Sequence, residues 1–136
     1  MDKSKILIVD DEPDIIYLVR RFLEREGYSV VEAYGGRDAL LKIEEEPPDL
    51  ILLDVMMPDI NGWDVSRALK TEDKTQNIPI VMLTVRASHD SQQKSFEYGY
   101  ADAHLGKPAS GKEIVNAVDS TLKNLDENAP TAPMAT

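Results

Sequence analysis

A chain of 136 residues has the size of one domain and can bury about two-thirds of its unfolded surface in a single core. Its 25 acidic residues against 15 basic give a net charge of −10, which repels phosphate backbones and anionic lipid heads and argues against nucleic acid and membrane as direct partners. With no cysteine and only two histidines, His89 and His104, the chain has no disulfide framework and no ordinary zinc cage, so any metal is expected to be held by oxygen.

Residues 6–9 open the pattern as a continuous apolar run of strand length. Pro13 then marks a first helical turn, followed by a stripe of Ile15, Leu18, Val19, Phe22 and Leu23 that Gly27 stops. Residues 29–33 form a weaker strand, and Ala39, Leu40 and Ile43 a second helical stripe. Residues 50–53 are a second continuous apolar run, followed by a third helix on Val65, Ala68 and Leu69. Residues 80–83 form the next apolar run. The stretch 87–98 is the weak element, because Ser88, Asp90, Ser91, Gln92, Gln93, Lys94 and Ser95 leave only Phe96 and Tyr98 as large apolar anchors; a helix there is expected to be loosely held. Residues 103–105 make a short fifth strand, and Ile114, Val118, Leu122 and Leu125 a last helical stripe. Apolar runs of this kind suit strands covered on both faces. Five strand–helix alternations with short connections predict an α/β fold with a parallel sheet, right-handed crossovers and helices on both faces. The domain is expected over residues 1–126. Residues 127–136 carry no periodicity and read as a disordered tail or a linker stub. No apolar run approaches the ~20 residues a spanning helix needs, and the N-terminus lacks a signal-peptide core, so the protein is expected in the cytoplasm.

The polar residues that carry chemistry follow the strand runs: Asp10 and Asp11 after the first, Asp54 after the third, Thr84 after the fourth and Lys107 beyond the fifth. In an open α/β sheet this carboxyl edge is where ligands bind. Any one of these residues is compatible with a solvated or capping role; the joint pattern is what points to a site. Neighbouring strands lie ~4.8 Å apart, which brings the acidic pair across one gap from Asp54. Two such charges ~5 Å apart repel by roughly 3 kcal/mol at an effective dielectric of ~20, so cations must sit among them. Lys107 supplies one. A hard divalent ion, Mg²⁺ or Mn²⁺, would supply the rest while keeping several waters. Asp54 then reads as a nucleophile toward a phosphoryl group, with Thr84 and Lys107 as donors to its oxygens.

At these residues the chain resembles the response-regulator receiver family, from about residue 5 to residue 125. ILIVDDE at 6–12 resembles the family's acidic pair, LLDVMMPDING at 52–62 its phosphoacceptor strand and loop, VMLT at 81–84 its hydroxyl position, and GKP at 106–108 its lysine–proline step. The resemblance implies a flavodoxin-like sheet of order 2-1-3-4-5 and phosphorylation of Asp54 by a sensor histidine kinase. It also implies Mg²⁺ contacts from Asp11, Asp54 and the backbone carbonyl of Met56, with Asp10 acting through water, and a cis Lys107–Pro108 bond. Pro58 and Gly62 match the loop that shapes the site. By the same resemblance, Thr84 and the residue at position 104 form the switch that reshapes a surface bound by a downstream protein. The chain departs from the family at Val85, where a small residue is usual, at His104, where an aromatic is usual, and at Gly106 and Ala109. His89 is given no role.

Three rival functions use similar parts. A haloacid-dehalogenase-like phosphohydrolase also employs an aspartate nucleophile, but resembles an Asp-x-Asp after the first strand, whereas here the acidic pair comes first and no cap insertion is present. A flavin module would set its phosphate on the loop Asp10, Asp11, Glu12, Pro13, Asp14, which repels it. A receiver-like interaction module that is never phosphorylated would leave the complete acid pocket without a purpose.

Overall fold

The computed structural model describes residues 4–85 and 88–128, the last four by backbone alone. Five strands, β1 (Lys5–Val9), β2 (Ser29–Ala33), β3 (Leu50–Leu53), β4 (Ile80–Thr84) and β5 (Ala103–Gly106), alternate with α1 (Pro13–Arg25), α2 (Gly36–Glu45), α3 (Gly62–Lys70), α4 (His89–Glu97) and α5 (Gly111–Asn128). All strands pair in parallel, in the order β2-β1-β3-β4-β5. The predicted fold class and sheet order are both observed.

Strand alternation divides the core in two. Leu7, Val9, Ile51, Leu53, Ile80 and Met82 point to one face, where Ala39 and Ile43 of α2 and Trp63, Val65 and Leu69 of α3 cover them. Ile6, Ile8, Leu50, Leu52, Val81 and Leu83 point to the other, against Ile16, Val19 and Leu23 of α1 and Ile114 and Val118 of α5. Every residue of β1, β3 and β4 except Lys5 is buried, which is why these strands read as unbroken apolar runs.

The helix stripes need three corrections. In α1 the buried row is Ile16, Val19 and Leu23, while Leu18 is half exposed; the expected Ile15 and Phe22 lie only at the flank. The row 16, 19, 23 faces the sheet, and Phe22 is turned toward α5, where its ring touches the position a Cβ on Gly111 would take. In α3, Ala68 is exposed. In α4 neither expected anchor is buried: Phe96 and Tyr98 are 42% and 38% exposed, and the buried side chains are Ser91 and Ser95. The helix α5 runs through Asn128, two residues past the expected boundary; residues 129–136, and Arg86 and Ala87, lie outside the described residues, as does the Leu125 side chain.

Helix ends follow local chemistry. Pro13 opens α1, and Gly27 ends it at a positive φ of 95°, a conformation that glycine adopts without steric cost. Asn61 caps α3 by accepting from the Asp64 amide, and Ser88 caps α4 by accepting from the Ser91 amide. Among the described residues no helix is long and apolar enough to cross a membrane.

Candidate phosphoryl-transfer site

The carboxyl edge of the sheet gathers the expected residues through strand register. Val9 lies level with Leu53, so the next residues, Asp10 and Asp54, stand side by side on adjacent strands. Backbone hydrogen bonds fix both: the Asp10 amide donates to Ala33 (3.1 Å) and the Asp54 amide to Val9 (3.0 Å). Thr84 lies level with Gly106, and the Lys107 amide donates to the Thr84 carbonyl at 2.8 Å. The Lys107–Pro108 bond is cis.

Lys107 joins the strands electrostatically. Its Nζ lies 2.6 Å from Asp10 Oδ2, 3.6 Å from Asp54 Oδ2 and 3.8 Å from Glu12 Oε1. Asp10 and Asp54 are 2% and 4% exposed, and Thr84 is fully buried. Burial raises the Asp54 pKa, as does the nearby Asp10 charge; Lys107, the Met56 amide and the Thr84 hydroxyl act against them without cancelling them. For Lys107, burial works to lower the pKa, but the hydrogen bond to Asp10 and the charges of Asp10, Asp54 and Glu12 leave it raised. The lysine is therefore a fixed cation.

Asp10 Oδ1 accepts from the Glu12 amide at 3.0 Å, curling the loop so that carboxylate oxygens of Asp10, Asp11 and Glu12 come within 4.8 Å of one another. This set offers oxygen alone, the donor type that Mg²⁺ or Mn²⁺ prefers. Asp54 lies outside that cluster and is linked to it through Lys107. Its Oδ1 accepts from the Met56 amide at 3.3 Å, which folds the start of the following loop back over the carboxylate. One carboxylate oxygen is thus held by the Met56 amide and the other faces Lys107, with the Thr84 hydroxyl and the ammonium as donors beside it. The residues present therefore fit a divalent ion, its charge offsetting carboxylates that one lysine only partly balances.

Gly62 is a steric requirement of this geometry. Its amide donates to the Val55 carbonyl at 2.8 Å, and a Cβ there would lie 2.1 Å from the Asp54 carbonyl oxygen. Val85, beside Thr84, is 62% exposed, and His89 is exposed at the start of α4.

His104 is half-buried and directed at α4: its Nδ1 lies 2.8 Å from Ser95 Oγ, which also accepts from Trp63 Nε1 at 3.0 Å. The indole can only donate, so the Ser95 hydroxyl hydrogen is available to Nδ1 of a neutral ring. One serine thus ties β5 to α3. Sequence reasoning passed over Ser95 and Trp63, and also Glu12, whose signal was the unbroken acidic run from Asp10, and Asp59, which had none.

The sequence profile of the response regulator receiver domain matches residues 6–119. The chain is 40% identical over 131 residues to the alkaline phosphatase synthesis transcriptional regulatory protein PhoP of Bacillus subtilis, covering 96% of this chain and 53% of that protein; it spans about half the length of this curated relative. Among solved structures, a CheY-like response regulator receiver domain protein from Methanospirillum hungatei JF-1 superposes with a TM-score of 0.83 at 30% identity, covering 91% of this chain and 97% of the other. The chemotaxis response regulator CheY4 of Vibrio cholerae gives 0.81 at 30% identity, covering 87% and 98%. With the profile spanning most of the chain and the acid pocket assembled at the sheet edge, this chain belongs to the response regulator receiver domain family of two-component systems.

Proposed function

We propose that the chain is a phosphorylation switch in which Asp54 accepts a phosphoryl group from the phosphohistidine of a sensor histidine kinase. An Asp54 carboxylate oxygen attacks phosphorus, the P–N bond to the kinase imidazole breaks, and that imidazole takes up a proton as it leaves. The observation that carries this reading is Lys107 Nζ set between Asp10 and Asp54, with the buried Thr84 hydroxyl on the same carboxylate. Lys107 and Thr84 hold phosphoryl oxygens as charge develops on them. Asp10, Asp11, Asp54 and the Met56 backbone carbonyl would hold Mg²⁺, or Mn²⁺ in its place, with Glu12 close enough to join them. The ion supplies positive charge to a phosphoryl group among carboxylates. The chain assists its own phosphorylation and dephosphorylation without turning over a separate substrate.

The output is a protein-binding surface switched through Thr84 and His104, and the downstream partner is a protein. The acidic chain does not itself bind nucleic acid or membrane, and it works in the cytoplasm. Acetyl phosphate with Mg²⁺ should add one acid-labile phosphoryl group to the protein, and Asp54→Ala should abolish it; undiminished labelling of the variant by intact mass would refute the assignment.

A further inference from the structure

The loop after Asp54 reaches Asn61 without a helix or strand of its own, yet it carries Met56, whose backbone borders the phosphoacceptor. Its near end is fastened by the Met56 and Gly62 amides. Its far end is fastened by Asp59. Oδ1 of Asp59 accepts from the Gly36 amide at 3.1 Å and from its neighbour Ile60 at 2.8 Å, and Oδ2 accepts from the Arg37 amide at 3.0 Å. Gly36 and Arg37 are the first two residues of α2, so the carboxylate occupies the helix end where unpaired amides and the helix dipole favour a negative charge. The Asp59 pKa accordingly falls to about 2, through the Arg37, Gly36 and Ile60 amides.

The fit is close on both sides. A Cβ on Gly35 would stand 3.1 Å from Asp59 Oδ2, and one on Gly36 would stand 2.9 Å from Ile60 Cβ. A Cβ on Gly36 would thus force Ile60 to shift, and one on Gly35 would crowd the Asp59 carboxylate. This contact lies beside the packing of α2 on the sheet, where Ala39 and Ile43 are buried with Gly36 and Ile60 packs against the same apolar core. Its consequence is to set where the far end of the phosphoacceptor loop stops.

We infer that Asp59 is a positioning residue for the phosphoryl-transfer site: by clasping the first turn of α2 it fixes the loop that places the Met56 backbone beside Asp54. The inference rests on the reading of Asp54 as an Mg²⁺-assisted phosphoacceptor. Asp59 is not among the residues that would hold the ion or the phosphoryl group, and its effect passes through the backbone between Asp59 and Met56.

The test compares the full chain with Asp59→Asn and Asp59→Ala in three measurements: Mg²⁺ titration followed by the emission of the single tryptophan, Trp63, the rate of labelling by acetyl phosphate at limiting and saturating Mg²⁺, and thermal melting with a chelator present. Asp59→Ala should weaken Mg²⁺ binding ~10-fold, in the range seen when a group orienting a metal ligand is removed. It should also slow labelling at limiting Mg²⁺, with saturating Mg²⁺ restoring the rate. Asp59→Asn should fall between, since its carbonyl oxygen still serves Gly36 and Ile60 while its amide group opposes the Arg37 N–H. Because that variant keeps most of the clasp, it stays informative if the alanine form does not fold. Lower melting with unchanged Mg²⁺ affinity and labelling would overturn the inference and make Asp59 a structural tie alone. A parent chain that takes no label refutes the phosphoacceptor reading; the Mg²⁺ titration then still decides the role of Asp59.

Discussion

Asp54 and Asp59, five residues apart, are perturbed in opposite directions, and the signs give opposite stability effects. For Asp54, burial raises the pKa, so the folded state holds this proton more tightly than the unfolded chain. Its contribution to stability is full below the unfolded pKa of ~3.9 and is lost as pH rises through the raised value. In chelator at neutral pH, Asp54→Asn should therefore melt above the parent, and the gain should shrink as pH falls toward ~3.9. For Asp59 the lowered value means stability that is present above ~3.9 and lost as pH falls through about 2. Asp59→Asn should melt below the parent at neutral pH, the gap closing in acid. Because Asp59 is solvent-exposed, salt should narrow that gap as well. Melts of both variants across pH check the two signs together; parallel curves for either variant and the parent would refute the account for that residue.

At the scale of elements, legibility followed burial chemistry. The strands β1, β3 and β4 were plain in the sequence because two helix layers cover them, leaving apolar residues inside apart from Thr84 at the site end of β4. The edge of the site was equally plain, since Asp10, Asp54 and Lys107 each follow a strand, Thr84 ends one, and parallel pairing brings them together. The helix α4 was misread in its anchors, though its weakness was visible. A reading based on apolar periodicity looks for Phe96 and Tyr98, but the helix is seated by Ser95, fully buried between Trp63 and His104. Nothing in a serine announces such a contact, which depends on partners 32 and 9 positions away in the chain. Cation–π contacts complete the seating: Lys94 lies 4.5 Å from the Trp63 ring centroid, and Arg67 lies 4.7 and 5.1 Å from those of Tyr98 and Tyr100. Tyr100 adopts a positive φ of 57°, an uncommon conformation for a residue with a Cβ. Ser95→Ala removes two hydrogen bonds worth about 1 kcal/mol each. Amide exchange should accelerate in α4 while β1 and β3 keep their protection; uniform acceleration would mean that α4 is not a separate unit of stability. Gly62→Ala should cost ~3 kcal/mol or more, because the clash is with backbone that has no room to yield. A melting midpoint within a degree of the parent would refute that steric argument.

For the molecule as a whole, the central electrostatic fact is a net charge of −10 with part of its excess concentrated at one sheet edge. Asp10, Asp11 and Glu12 hold carboxylate oxygens within 4.8 Å of one another, and Asp54 adds a fourth charge nearby; Lys107 is the cation that bridges them. Monovalent salt reduces long-range repulsion among exposed charges, with a screening length of ~8 Å at physiological ionic strength, but it acts weakly on a buried pair such as Asp10 and Asp54. A divalent ion bound between the carboxylates acts directly. Because an ion bound only by the folded state stabilises by mass action, Mg²⁺ at 100 times its dissociation constant should add ~2.7 kcal/mol, a rise of several degrees in melting midpoint for a domain of this size. NaCl at matched ionic strength should add much less. Asp11→Ala separates the local from the general effect. It removes one exposed carboxylate, so without Mg²⁺ it should melt higher than the parent through relieved repulsion. If Asp11 is a ligand, it should also lose most of the response to Mg²⁺ while keeping the response to NaCl. A matched control, Glu44→Ala, removes one charge from the far end of α2 and should leave the Mg²⁺ response intact. If Asp11→Ala retains the full Mg²⁺ shift, Asp11 is not a ligand; if Glu44→Ala loses it too, the ion acts on the overall charge of the protein and not at the sheet edge.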